Sequence, residues 1–374
     1  MMLTEKPQFK KWVTLSAVIG FTVFMLYLFF FTDFTQVGKV LGGTNVAIYG
    51  LAFVCVIFST IFNALNWKAI LNNLSVDTTF SRVFNLTWVG TFIDTLIPGG
   101  WTGDIFKTYL LAKDQPGSGS KAAASIIIKD ALELLVILGS LIAGMVLLVV
   151  NYAVSSILLI VIGITLVFLS LPLILILYLS TNISATEKLL RAVERLGARI
   201  RGKQASGAAL QEKVHQQLSE FREGIMTIRS NPMLMVMPTV YQIFTWIFDV
   251  LTLYAVFIAL GEFVGFDKIV ITNTIVSNIQ GQGVALAGFS QIVSSELYTI
   301  LGISAVLAVA SSLLAGFASF WFRLVVSFAY FQTTVFERCV PILCRKCMGW
   351  TAWRTKTCPE PKPKKQRQRL KIKK

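Results

Sequence analysis

The sequence predicts an all-α polytopic membrane protein, with six spanning helices and two re-entrant helical segments arranged as an inverted repeat. Three observations lead there. Hydrophobic residues make up 55% of the 374 and charged residues only 14%, where soluble domains run near ~45–50% and ~25%, so an ordinary soluble enzyme is excluded. Uncharged stretches from Trp12 to Phe31, Val40 to Trp67, Leu134 to Thr186 and Leu297 to Phe322 each reach the roughly 20 apolar residues that cross a bilayer core, and they lack the alternation of a transmembrane barrel. Positive charge, finally, is concentrated: of a formal +15, residues 333–374 hold 13 Lys/Arg against 2 acids and residues 181–232 hold 9 against 5.

Taken in order, the first apolar segment, 12–31, ends in Phe29-Phe30-Phe31 with no small-x-small cleavage site, so it reads as a span rather than a cleaved signal. Segment 45–66 crosses back. Segment 81–103 carries Arg82, Asp94 and the run Ile97-Pro98-Gly99-Gly100-Trp101-Thr102-Gly103, which cannot continue a helix. Segments 122–150 and 154–180 cross. Residues 181–232 place Leu189, Leu190, Val193, Leu196 and Ile200 at roughly helical spacing among Arg and Glu, as in an amphipathic surface helix, broken by Gly197, Gly202 and Gly207. Segment 233–260 crosses, and 269–292 is uncharged but carries Asn273, Asn278, Gln280, Gly281, Gln282, Gly283 and Gly288. Segment 297–332 is the last span, before a basic tail at 333–374.

Lys and Arg accumulate on the cytoplasmic side. Eight simple crossings would put 181–232 outside, whereas six crossings with 81–103 and 269–292 re-entrant put the N-terminus, the linker and the tail all in the cytoplasm. The expected organisation is a membrane half at 1–180, a cytoplasmic linker at 181–232, a second half at 233–332 and the tail. One re-entrant segment enters from each side, and each precedes a long apolar helix. Interrupted segments in matching positions of two halves mark a transporter's substrate site, although two interfacial or kinked helices would leave the same trace.

Ionisable residues at bilayer depth cost ~2.5–3.5 kcal/mol each on insertion scales, so each is a functional candidate. Lys129 and Glu133 share a helix face at i,i+4 beside Asp130. Asp94, Asp104 and Lys107 surround the first break, Asp249 lies beside Trp246, Glu296 follows the second polar segment, and Arg323 interrupts the last span. Mutual neutralisation for packing is the competing role for all of them. At the first break, Gly99, Gly100 and Gly103 allow close backbone approach, and free N–H groups of a broken helix favour an anion. With Lys107 and Lys129 nearby, a phosphate-bearing lipid headgroup is the most economical ligand. Lys129, Lys107 and Arg323 would engage the phosphate, and Asp104, Glu296 and the glycines would shape the cavity.

The basic tail suits anionic lipid headgroups better than nucleic acid. Cys339, Cys344, Cys347 and Cys358 contain one CxxC, which leaves zinc binding and unligated thiols both open. His215 reads as a solvated surface residue. Without an intramembrane His or a dense acidic or Cys cluster, no catalytic centre and no cofactor are expected.

The stretch Pro98-Gly99-Gly100-Trp101-Thr102-Gly103-Asp104, then Lys107, then Ala122-Ala123-Ala124-Ser125-Ile126-Ile127-Ile128-Lys129-Asp130, resembles the lysylphosphatidylglycerol synthase transmembrane region, the flippase-like family, over about residues 12–335. Gly281 through Glu296, then Arg323, is similar to that family's second signature. Lys107 and Lys129 stand where arginine is usual, which would turn a bidentate phosphate contact into a point-charge contact, and no proline precedes Gly288. The resemblance implies translocation of an anionic phosphate-linked lipid, either an aminoacylated phospholipid or a polyprenyl-phosphate-linked sugar. It also implies a separate synthase or glycosyltransferase as partner, since the 42 residues after the last span are too few for an attached one. The expected protein is therefore a multi-pass lipid transporter of the cell membrane and not an enzyme. A membrane-embedded lipid-phosphate transferase and a non-transporting scaffold for a cytoplasmic synthase are the alternatives.

Overall fold

The computed structural model describes residues 34–96, 102–115, 117–151, scattered positions between 160 and 174, 230–281 and 289–336. The first apolar segment, most of 154–180, the linker to residue 229, the two breaks at 97–101 and 282–288, and the four tail cysteines lie outside the described residues. Among those described, every regular element is helical. In chain order they are α1 (Phe34–Gly42), α2 (Val46–Asn73), α3 (Phe80–Leu96), α4 (Thr102–Asp114), α5 (Gly119–Asn151), a 3-10 turn (Pro232–Met235), α6 (Val236–Ala259), α7 (Phe266–Gly281), α8 (Phe289–Ile300), α9 (Ala305–Gly316), a π turn (Phe317–Trp321) and α10 (Phe322–Phe331).

Three stretches among the described residues are long and apolar enough to cross a membrane: Val46–Asn73, Pro232–Ala259 and Ala305–Thr334. At ~1.5 Å per residue each exceeds the ~30 Å hydrocarbon core. The described parts of α3, α4, α7 and α8 have 17, 13, 16 and 12 residues.

The centre of the molecule is the antiparallel pair α2 and α6. Asn45 starts α2 by accepting the Ala47 and Ile48 N–H groups on its side chain, at 3.1 and 3.2 Å, a standard N-cap. Its own N–H donates to the Ala259 carbonyl at 2.8 Å. Further along, Ser59 donates to Asp249 at 2.7 Å, Asn66 to Gln242 at 2.5 Å and Asn73 to the Leu234 carbonyl at 2.6 Å. Numbers rise on α2 as they fall on the partner, so the helices run in opposite directions. Asn45, Ala52, Ser59, Asn66 and Asn73 recur every seven residues, and Ala52 is buried against Ala255, Val256 and Ala318. Such a repeat keeps one seam facing the partner in a shallow left-handed crossing. Beside this seam Phe58 stacks on Phe248 and Phe62 on Phe244, with centroids 5.2 and 5.0 Å apart.

The two short pairs are helical hairpins. The first is closed at its open end by Arg82 with Asp114 at 2.5 Å and by Gln115 donating to the Asp77 carbonyl. In the second, Ile271 and Ile275 of α7 and Leu297 and Leu301 at the end of α8 share one buried cluster with Leu141 of α5. Each hairpin's first arm leans on the long helix of the other half. Trp88 and Phe92 of α3 meet Tyr330 and Phe331 of α10 at 5.9 and 4.8 Å between centroids. On the other side Ser140 of α5 bonds Thr274 of α7 at 3.0 Å, and Gly144 opposes Val270 and Ile271, a small-residue crossing of the kind membrane helices use. Helix starts at 80 and 119 match starts at 266 and 305, an offset of 186 residues in both cases.

Three expected boundaries move. The first interrupted segment, expected to end at 103, is followed by a second arm, α4, that packs on α3 as far as Asp114. The segment 45–66 extends to Asn73, because Asn72, Asn73 and Lys68 still ride on the end of a continuous helix. The span expected from 297 starts at Ala305 instead, and 297–300 complete α8. The turn between them depends on Gly302 at φ 82°, a conformation open to glycine without strain. Leu301 and Ile303 in that turn are buried, which is why the apolar run passes through it unmarked.

Candidate functional site

Asp94, in the last described turn of α3, reaches across the first break and caps α4. Its Oδ1 accepts the Gly103 N–H at 2.6 Å and the Thr102 hydroxyl at 3.4 Å, and a carboxylate at a helix N-terminus also meets the positive end of the helix dipole. The Gly103 N–H, which the sequence reading offers to an anionic ligand, is therefore held by the protein's own carboxylate. Gly103 has no room for a side chain, since a Cβ would run into the Gly90 carbonyl and the Asp94 carboxylate.

One turn further along α4, Lys107 is 5% exposed. It pairs with Asp104, and its ammonium stands 4.9 Å from the centre of the Trp67 ring, a contact attractive by ~0.5–2 kcal/mol. The indole is fixed by its N–H donating to Ser125 at 2.9 Å. Ser125 lies one turn before Lys129 on α5, so α2, α4 and α5 converge on the two lysines. Lys129 is also 5% exposed. It reaches Glu133 at 3.2 Å and Asp130 at 3.6 Å, and Asp104 acts on it electrostatically from α4. The expected i,i+4 pair is thus present. The lysines point inward, whereas the Glu133 side chain is 42% exposed and that of Asp130 27%.

Gly103, Asp104, Lys107 and Lys129 are therefore brought to one place. Arg323 is held elsewhere, by Asp249 at 2.9 Å, and Glu296 is exposed on α8. Gly99 and Gly100 lie outside the described residues. Trp67, Ser125, Ser59, Asn66 and Gln242 belong to this polar interior and are missed by a search for charges. Their signal is the seven-residue spacing of Asn45, Ser59, Asn66 and Asn73 through an otherwise apolar helix.

Asn66 and Gln242 are 0% and 4% exposed. Replacing Asn66 with Leu should strand the Gln242 amide oxygen and destabilise the detergent-solubilised protein by about 1 kcal/mol, the usual scale for interhelical polar contacts in membranes. Asn66→Leu with Gln242→Leu should recover most of that loss, because a fully apolar seam leaves no orphan. A double-mutant cycle on thermal unfolding measures the coupling.

Comparison with known proteins places this geometry in context. The family model described as the lysylphosphatidylglycerol synthase TM region matches residues 15–327. A UPF0104 membrane protein of Pyrococcus horikoshii is 25% identical over 319 residues, covering 81% of this chain and 92% of the relative. A UPF0104 membrane protein of Methanothermobacter thermautotrophicus is 24% identical over 256 residues, covering 65% and 71%.

Proposed function

The chain is a membrane protein that belongs to the lysylphosphatidylglycerol synthase transmembrane-region family, and from that premise we propose that it is a transporter, not an enzyme, moving an anionic phosphate-bearing lipid between leaflets. The observation that carries the reading is the placement of Lys107 and Lys129, two inward-facing cations on α4 and α5 beside a helix break. An ammonium in an apolar slab needs a counter-charge. Asp104, Asp130 and Glu133 supply it in the absence of lipid, and the exposed Glu133 can swing away when a phosphate oxygen takes its place. Charge stays compensated throughout, so the headgroup crosses without stranding an ion. The acyl or prenyl chains remain in the bilayer.

An inverted repeat with six crossings suits this transport. The constant offset between matching helix starts supports it, as does the antiparallel run of α2 and α6. In a chain of eight simple crossings the segments that form α2 and α6 would both run inward from outside and lie parallel. With the two hairpins re-entrant they run in opposite directions. The same topology puts the open end of the first hairpin, just beyond Asp114, residues 181–232 and the tail in the cytoplasm, so a cysteine at Gln115 should react with impermeant maleimide only from the cytoplasmic face. Labelling from outside would overturn the topology.

Substrate recognition has its own test. Phosphatidylglycerol added to the detergent-solubilised protein should raise Tm, as any ligand of the folded state does, by several degrees more than neutral phosphatidylcholine. The difference should vanish in Lys129→Gln. Equal shifts from the two lipids would remove the anionic headgroup from the account.

A further inference from the structure

The second charged pair of the interior lies midway along the long helices, away from the lysines. Asp249 on α6 accepts two bonds on a single oxygen, Oδ1: from the Ser59 hydroxyl at 2.7 Å and from the Arg323 guanidinium at 2.9 Å. Among the described residues, Arg323 meets its partner through one terminal nitrogen, and its Nε is buried with no hydrogen-bond partner. A pair built for helix packing would be expected to use the bidentate fork, two parallel N–H···O bonds, that arginine and carboxylate form so readily. Among the described residues Arg323 is held by the single Asp249 contact, and the Asp249 and Arg323 side chains are 34% and 31% exposed. Arg323 follows by two residues the π turn Phe317–Trp321, an irregularity frequent at functional sites. Tyr49 of α2 donates to the Leu314 carbonyl just before that turn at 2.8 Å, so the distortion is supported from the partner helix. Gly316 at its start leaves room for the Gln291 side chain.

We propose that Asp249 is a proton-binding site and that Arg323 exchanges partners during the transport cycle, bound to the Asp249 carboxylate in one state and to the lipid phosphate in the other. The inference rests on the transport reading above. A proton arriving from the more acidic side neutralises Asp249 and frees Arg323, whose idle Nε and released terminal nitrogen then form a two-donor face for phosphate oxygens. Release of the lipid returns Arg323 to Asp249 and expels the proton on the opposite side. One negative charge and one proton move together, so the translocated set is neutral.

The charged surroundings leave Arg323 as the partner that matters. Elements packed against α6 are α2, α5, α7, α9 and the 3-10 turn, with Arg323 reaching it from α10. Their titratable side chains are Tyr49, Cys55 and Lys68 on α2, Lys121, Lys129, Asp130 and Glu133 on α5, Asp267 and Lys268 on α7, and Tyr330 on α10, with Tyr241 and Tyr254 on α6 itself. Among the described residues, those that bond or ion-pair with the Asp249 carboxylate are Ser59 and Arg323.

The test uses the full chain in liposomes of phosphatidylcholine with fluorescent phosphatidylglycerol, the membrane potential clamped at zero and a pH difference imposed in either direction. One proton per lipid supports a steady-state leaflet ratio of up to about tenfold per pH unit, since 1.4 kcal/mol is tenfold. Wild type should approach that ratio and reverse it with the gradient. Asp249→Asn should hold the ratio at one under any gradient, and Arg323→Lys, which keeps a charge but not the fork, should keep the ratio while slowing its approach. Wild type that flips lipid yet stays at a ratio of one overturns the coupling and leaves the transport reading intact. So does Asp249→Asn that keeps the gradient-driven ratio and loses only thermal stability, the behaviour of a packing pair. If no lipid is flipped at all, the transport reading fails, and infrared difference spectra between acid and neutral pH decide the site itself: a protonated-carboxyl band lost in Asp249→Asn sustains the proton site, and no such band overturns it.

Discussion

Lys129→Gln should abolish lipid transport and also destabilise the protein, by about 3 kcal/mol or more, because it removes one partner of a buried ion pair and leaves the others uncompensated. Lys129 is 5% exposed with Glu133 at 3.2 Å and Asp130 at 3.6 Å, so the neutral amide would face carboxylates it can satisfy only in part. Two companion variants separate stability from binding. Lys129→Arg preserves the charge and should retain transport. Lys129→Gln with Glu133→Gln removes both charges and should recover most of the stability while still failing to transport, since a neutral pair cannot attract a phosphate. Thermal unfolding in detergent and headgroup-dependent flipping, measured on the three variants together, give the answer. Full transport in the double variant would reduce Lys129 to a packing residue.

Gly103→Ala should be comparably damaging, through sterics rather than charge. The added Cβ would strike the Gly90 carbonyl and the Asp94 carboxylate, and a backbone carbonyl cannot rotate out of the way as a flexible side chain could. The hairpin arms would have to separate, weakening the Asp94 bond to the Gly103 N–H, a charge-assisted contact worth ~1.5–3 kcal/mol, on top of an overpacking cost of ~1–3 kcal/mol. Lys107, one turn away, would lose its position over Trp67. Gly139→Ala is the matched control: among the described residues nothing lies within 4 Å of a Cβ there, and a mid-helix alanine should be neutral or stabilising by up to ~1 kcal/mol. Comparable unfolding temperatures for the two variants would contradict the close-approach argument.

Much of the fold is legible in the sequence because the bilayer constrains a chain strongly: an apolar run long enough to cross is visible without knowing its neighbours. The breaks are legible for a related reason. Pro98 and the glycines around it, and the Gly281 to Gly288 stretch, are poor continuations of a helix on sequence grounds alone. What hydropathy cannot register is a turn made of apolar residues, and Leu301-Gly302-Ile303 is one. Local charge pairing is equally readable, as for Lys129 and Glu133, since i,i+4 spacing on a helix fixes proximity. Pairing across the fold is not. Asp249 has no partner nearby in sequence, and Arg323, 74 residues away, reaches it only because the chain folds back so that α9 packs on α6. The cap that Asp94 places on Gly103 is hidden likewise, because it depends on how the chain closes through the break.

Transport by the purified chain is the most direct measurement. Reconstituted into liposomes with fluorescent analogues of phosphatidylglycerol, an aminoacylated phospholipid, a polyprenyl-phosphate-linked sugar and net-neutral phosphatidylcholine, the protein should flip at least one of the first three probes far faster than phosphatidylcholine, and Lys129→Gln should remove that preference. Flipping of all four at one rate, or no flipping beyond protein-free liposomes, would contradict a headgroup-selective lipid transporter.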